Sequence, residues 1–368
     1  MADTKIRRRF LLRPYSYINF SFYSLTVKML ILLFLQMGML LLAKSYQAFF
    51  VVIASMTASV LADFLWVLFT KNTRNTNLYP FLIAAVQGIL CGMLIPQDYP
   101  VVAVFLVVFF TMLILKDFFG GFAYAWINPC MFTVIILWIV GADLFPGFLL
   151  PFDSFASRNP SLLLIENGIV PVYHFDSAIT DFFNDTVFSW LKVSVPEGYI
   201  SMLWDTNSVI PAFRFNFITL ISSIILFSDN FVDMIIPGVF LFVYAILIRV
   251  VSPFFFSGLM FQGDILLAFL TSGTLFTAFF LINWNGTVPC TVIGKTAYAF
   301  ITAIAMFFIA GCGTSSCGAV FTVLVANVCS ILIQQVEIYF ERCSLRHSLE
   351  MMQKEDSEIK GRLFINGN

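Results

Sequence analysis

The segment Lys116-Asp117-Phe118-Phe119-Gly120-Gly121-Phe122-Ala123-Tyr124-Ala125-Trp126-Ile127-Asn128-Pro129-Cys130 sets a cation, paired glycines and an Asn-Pro step between two apolar runs. Paired glycines let backbone approach a ligand or another helix closely, and Asn-Pro favours a turn that leaves amide groups open to hydrogen bonding. The same residues also suit a plain connection between helices. A second chemical group is Asp63, a carboxylate well inside an apolar run. Charge is expensive there, which points to contact with a cation or proton. Its plainer reading is hydrogen bonding to helix hydroxyls such as Ser59 or Thr57. Asp264 and Glu337 lie near run ends and read as interfacial, and Asp229 reads as a solvated turn residue.

The seven cysteines contain no zinc-type Cys-x-x-Cys pair. Cys312 and Cys317 flank Gly313-Thr314-Ser315-Ser316 at a turn. They suit small residues packing a tight helix pair, a disulfide on an oxidising face, or thiolate ligands to an iron-sulfur cluster shared with a partner. Cys91, Cys130, Cys290, Cys329 and Cys343 read as singletons. Gly294-Lys295-Thr296 resembles the end of a P-loop, but the first glycine of that motif would fall on Pro289, which has no N–H for a phosphate cradle. Lys295 reads instead as an anchor at a helix end. Two histidines, His174 and His347, are too few for a multi-His metal or haem centre.

The elements that position these groups follow from composition. Of 368 residues, 60% are hydrophobic and 11% charged, with 45 Phe. Mean hydropathy is +0.92. Such a chain is an integral membrane protein, and a net charge of -1 excludes a broad basic surface for nucleic acid. Apolar runs able to cross a core of ~30 Å at ~1.5 Å per residue recur ten times. They lie at about 26-43, 48-70, 79-95, 100-116, 131-148, 216-229, 232-250, 263-283, 296-312 and 317-338, and the short sixth run allows an earlier start. Lys5, Arg7, Arg8, Arg9 and Arg13 precede the first run without a small-residue cleavage site, so that run reads as a retained span. Placing this basic end in the cytoplasm puts fifteen of the twenty Lys and Arg inside, including Lys71, Arg74, Lys116 and Lys295. Both termini are then cytoplasmic and the long loop 149-215 lies outside, with seven acidic and three basic residues.

Met131-Phe132-Thr133-Val134-Ile135 echoes Val320-Phe321-Thr322-Val323-Leu324 at an offset of 189. The same offset carries the first four runs near the sixth to ninth. Five spans per half is an odd number, so the second half enters the membrane with opposite orientation. The expected fold is an all-α polytopic membrane protein of about ten transmembrane helices in two inverted five-helix repeats. Its parts are a cytoplasmic segment 1-25, a first half 26-148, the outer loop 149-215, a second half 216-338 and a cytoplasmic tail 339-368.

The run from Phe81 through Cys130 resembles the RnfD/NqrB family, membrane subunits of ion-translocating redox complexes. That family has a span ending in a Leu-Pro turn, another span, then Lys-x-x-Phe-Gly-Gly-x-Gly-x-Asn-x-Phe-Asn-Pro-Ala. Leu94-Ile95-Pro96 and Lys116 to Cys130 follow this order, with Ala123, Ala125, Ile127 and Cys130 departing from it. The layout extends loosely over all ten spans and the outer loop, and the length is closer to RnfD than to NqrB.

The resemblance implies an FMN esterified through its phosphate to a threonine of a Ser-Gly-Ala-Thr-like motif in the outer loop. Asp176-Ser177-Ala178-Ile179-Thr180 is the nearest match, making Thr180 the attachment residue and Ser177 its neighbour; Thr186 and Thr206 are weaker candidates. Asp181 stands where the family has Pro. Without the resemblance, Asp176 or Ser177 reads as the cap of a helix start. Ala278-Phe279-Phe280 and Asn283-Trp284-Asn285-Gly286-Thr287-Val288-Pro289 match a Thr-Asp-Pro turn near a second, non-covalent flavin, without its Asp. Gly120, Gly121, Asn128 and Pro129 would shape a flavin-facing turn, and Asp63 is the candidate for the ion pathway. The implied function is an Rnf-type subunit, inactive alone, in a ferredoxin:NAD-type or NADH:quinone-type translocase of a bacterial cytoplasmic membrane. It would pass electrons among partner subunits while the complex moves Na+ or H+. The rival reading is a urea-transporter-like channel or secondary transporter, and a third is a scaffold that has lost its cofactor.

Overall fold

The computed structural model describes residues 22–69, 79–118, 127–146, 172–191, 194–228, 233–252, 264–283, 287–311 and 316–365. Among these the structure is helical and without strands. This follows from the apolar composition: with no water to receive N–H and C=O groups, a membrane span must satisfy its backbone within itself. The first half contains α1 (Phe22–Leu42), α2 (Tyr46–Phe69), α3 (Tyr79–Met93), α4 (Val101–Met112) and α5 (Pro129–Val140). The loop between the halves carries α6 (Asp176–Phe183) and α7 (Tyr199–Trp204). The second half contains α8 (Asn216–Ser228), α9 (Ile235–Ile246), α10 (Ile265–Thr271), α11 (Thr274–Phe276), α12 (Val292–Ala305) and α13 (Gly318–Ile365).

Helical segments occupy all ten expected runs, and their ends depart from the apolar runs in informative ways. Four are long and apolar enough to cross a membrane by length and composition: Tyr23–Leu42, Tyr46–Phe69, Val292–Ala310 and Gly318–Arg346. α5 stops at Val140, before Gly141, Asp143 and Pro146, so it has 12 residues where 18 were expected. The eighth span is broken at Ser272-Gly273, with Gly273 at φ +70°. α8 starts at Asn216, after a short 3-10 turn at Pro211–Phe213, and no earlier. α13 runs from the tenth span into the tail without interruption.

The two halves repeat their helix pairings. In the first, α1 packs on α3, α2 on α3 and α4, and α5 on α3 and α4. In the second, α8 packs on α11, α9 on α12 and on the turn after α11, and α13 on α12 and that same turn. The third span of each half is the most enclosed, buried throughout 86–96 and 270–282. α4 and α12 both end in π-helical turns, Leu113–Phe118 and Met306–Gly311. Across the halves α1 meets α8 and α5 meets α13, each helix pairing with its own counterpart. Gln36 Nε2 donates to Thr219 Oγ1 at 3.2 Å in the first pair, and Trp138 meets Phe321 edge-on at 5.3 Å in the second.

Backbone approach between α2 and α3 depends on Gly88-x-x-x-Gly92. A Cβ on Gly88 would stand 2.6 Å from Met56 Cα, and one on Gly92 2.7 Å from Val52 Cα. Both clashes are with backbone, so a side chain there must push the helices apart. Gly88→Ala is expected to destabilise the protein by about 1–3 kcal/mol, read as a lower midpoint in detergent thermal denaturation, whereas Gly38→Ala, where a Cβ meets nothing within 4 Å, leaves it unchanged.

Candidate functional site

α2 carries Ser55, Ser59 and Asp63 at four-residue spacing, so the three share one face, and all are buried. Lys116 lies in the π-helical turn that ends α4. It was expected in a cytoplasmic connection, yet it is 4% exposed, as is Asp63. Lys116 Nζ donates to Asp63 Oδ2 at 2.6 Å and Oδ1 at 2.8 Å. Neither Ser59 nor Thr57 serves Asp63 as expected: Thr57 bonds to the carbonyls of Ile53 and Ala54, and Ser59 Oγ has no partner. The pairing wins because a full opposite charge compensates a desolvated carboxylate far better than a hydroxyl does.

α5 begins deep in the bundle. Cys130 Sγ donates to the carbonyl of Gln87 at 3.4 Å, and Cys91 Sγ to that of Cys130 at 3.6 Å. Gln87 is eight residues into α3, roughly 12 Å from its start. Asn128 caps α5 by accepting from Cys130 N at 3.0 Å, and Pro129 occupies the first turn, where its missing N–H costs nothing. Asn128 Nδ2 and both ends of the Gln87 amide are buried without partners, a feature that nothing in the sequence singles out. Gly120 and Gly121 lie outside the described residues, as does Cys312; Cys317 is a buried thiol.

The described part of the loop between the halves forms a bonded cap. Asp176 opens α6 but caps α7 instead: its Oδ2 accepts from Gly198 N at 3.1 Å, Ser201 N at 2.8 Å and Ser201 Oγ at 2.5 Å. Thr180 Oγ1 donates to Asp176 Oδ1 at 2.9 Å and is 4% exposed, while Ser177 is exposed. This environment does not fit a phosphoester at Thr180. A phosphodiester would remove a donor from a wholly buried carboxylate and set a second negative charge against it. Thr206 Oγ1 is likewise buried, on the carbonyl of Phe213, and the exposed Thr186 bonds to that of Phe182.

Arg214 grips Asp205 with two bonds, Nε to Oδ1 at 2.9 Å and Nη2 to Oδ2 at 2.7 Å, and also reaches Ser45 in the α1–α2 turn. Burial and the Asp205 carboxylate push the Tyr173 phenol up from its ordinary value, against the pull of Arg214. Asp264 and Glu337, both partly exposed, bond to backbone N–H groups at helix starts. Asp264 caps α10 through Leu267 N at 3.0 Å and receives the Tyr199 hydroxyl. Glu337 accepts from Cys290 N at 3.1 Å and Thr291 N at 3.0 Å at the start of α12. Lys295 is tied to Asp233. These two residues, with Asn283, Pro289 and Cys290, line a cavity of about 360 Å³ beside the turn that was expected near a second flavin.

These features define an inverted-repeat helical membrane protein with a charge pair buried in its first half. The sequence profile of the NQR2, RnfD, RnfE family matches residues 12–339, and the chain belongs to that family. It is thus a membrane subunit of an Rnf/Nqr-type electron transport complex, a multi-subunit membrane assembly. A search of curated proteins returns no match.

Asp63→Asn leaves the Lys116 ammonium buried without its carboxylate and is expected to cost about 3–5 kcal/mol. Adding Lys116→Met should recover most of that loss, as measured by thermal denaturation of the single and double variants.

Proposed function

We propose that this subunit couples electron transfer in its complex to movement of Na+ or H+ across a bacterial cytoplasmic membrane, with both of its termini on the cytoplasmic side. The observation that carries the reading is the Asp63–Lys116 pair, a full charge couple enclosed by helices of a redox-complex subunit. An ionisable group at such a position marks an ion or proton pathway by default. Lys116 fits a resident counter-ion to Asp63 that yields when a mobile cation arrives. The charge distribution supports the orientation, since fifteen of the twenty basic residues then face one side.

The resemblance implies flavin, which supplies the electron transfer in the assembled complex. Because Thr180 does not fit an ester, the reading holds flavin here without that bond. Asp233, Asn283 and Lys295 are the polar groups available to it at the second-half cavity, one acid, one amide and one cation. The partner subunits supply electron donor and acceptor, in a ferredoxin:NAD-type or NADH:quinone-type translocase.

Two outcomes are expected. In liposomes containing the purified complex, Asp63→Asn combined with Lys116→Met, which restores stability, should abolish cation uptake driven by electron transfer while complex assembly persists; uptake at the wild-type rate would overturn the reading. In a denaturing gel the subunit should show no flavin fluorescence, although the native complex contains flavin, and a fluorescent band lost in Thr180→Val would restore the ester.

A further inference from the structure

The unpartnered polar atoms of the first half extend the ion-coupling reading, on which the following rests. Ser59 Oγ, Gln87 Nε2 and Oε1, and Asn128 Nδ2 belong to residues with no exposed surface and bond to nothing. In an apolar interior such atoms are costly unless water or an ion meets them. They are also close in the fold. Ser59 stands one helical turn from Asp63 and packs at Gly88, where an added Cβ would lie 3.0 Å from Ser59 Cβ. Gln87 is the neighbour of Gly88 in the chain, and its carbonyl holds the thiol of Cys130, two residues past Asn128. α3 therefore carries Gln87 between the Ser59 side of α2 and the start of α5.

The repeat shows that packing does not demand these polar groups. At the offset of 189, Ser59, Asp63, Gln87 and Asn128 correspond to Ile248, Ser252, Phe276 and Cys317. Lys116 corresponds at the same offset to Ala305, the last residue of α12. The second half makes the same helix pairings with only one hydroxyl at these five positions.

We propose that Ser59, Gln87 and Asn128 form a binding station for a partly hydrated monovalent cation, entered past the Asp63–Lys116 pair. Ser59 Oγ and Gln87 Oε1 offer oxygen to the cation, and Gln87 Nε2 and Asn128 Nδ2 donate to the water it keeps. The three carry no net charge, and Lys116 balances Asp63, so the station suits a single positive charge that must also leave. Na+ and hydronium share this chemistry.

The test uses the intact complex in liposomes, wild type against Gln87→Leu, with electron-transfer-driven uptake followed in two arms. One arm titrates Na+ at fixed pH, and the other follows H+ entry in Na+-free buffer. In the arm where wild type transports, Gln87→Leu is expected to raise the half-saturating cation concentration about tenfold or more. The melting temperature of the complex should hold or rise, because an unmet amide has been replaced by an apolar group. Unchanged half-saturation overturns the station. Ser59→Ala carries the same expectation and decides the matter if Gln87→Leu fails to assemble. Wild-type complex that moves neither ion overturns the coupling reading itself, a result distinct from an unaffected variant.

Discussion

Inside a bilayer a polar group has no water to fall back on, and this constraint organises the whole structure. Helices satisfy their own interiors, but each helix start leaves N–H groups open. Breaking a span inside the bundle therefore requires a side chain to close it. Asn128 does so for α5, Asp264 for α10, Thr291 with Glu337 for α12, and Asp176 from another helix for α7. Hydroxyls within spans return their protons to the preceding turn, as Thr133 does to Pro129, Ser222 to Ile218 and Thr302 to Tyr298. These are the local means by which a chain rich in Phe, Val and Leu can stop, bend and restart its helices.

The same constraint explains which half carries charge. Two halves with the same pairing scheme need complementary shapes, which apolar residues and Gly88 and Gly92 provide. Enclosing Asp63 with Lys116 adds desolvation of two ions, for which the attraction between them is at best an even return. The second half shows the economical solution at the same positions, with Ser252 for Asp63 and Ala305 for Lys116. Polarity in the first half is thus an addition to the scaffold and not a condition for it.

The scaffold was largely legible in the sequence and the site only partly. Apolar runs and their offset of 189 located ten helical segments and the repeat, because hydropathy alone decides what enters a membrane. Helix ends were less legible than the runs: the fifth run reaches 148 although Gly141, Asp143 and Pro146 stand within it, and α5 stops at Gly141, where a Cβ would meet the Tyr99 hydroxyl at 2.9 Å. Asp63 and Asn128 stood out by type and position. Lys116 was assigned to a loop because its partner is 53 residues away and only helix packing joins them. Gly88-x-x-x-Gly92 was a readable signal of close packing, whereas Gln87 is an ordinary residue until its surroundings are known. For Thr180 the family resemblance pointed to attachment chemistry, but the environment is decided by Asp176, four residues earlier and turned inward.

Cap and interior treat polar groups in opposite ways, and that difference separates the scaffold from the proposed cation path. In the cap, Asp176 accepts bonds from Thr180, Gly198 and Ser201, and Arg214 holds Asp205 while reaching Ser45. A network satisfied in this way is rigid and has no capacity left for a ligand. Its bonds tie the α1–α2 turn to the loop before α8, and Tyr199 ties α7 to the start of α10. The interior of the first half has a charge pair and, a turn away, polar atoms with nothing to bind. In the proposed coupling, a fixed cap above an unsatisfied interior lets the helices keep their register while a cation exchanges partners beneath them, with the inter-half loop as the frame and the α2–α3–α5 junction as the working part.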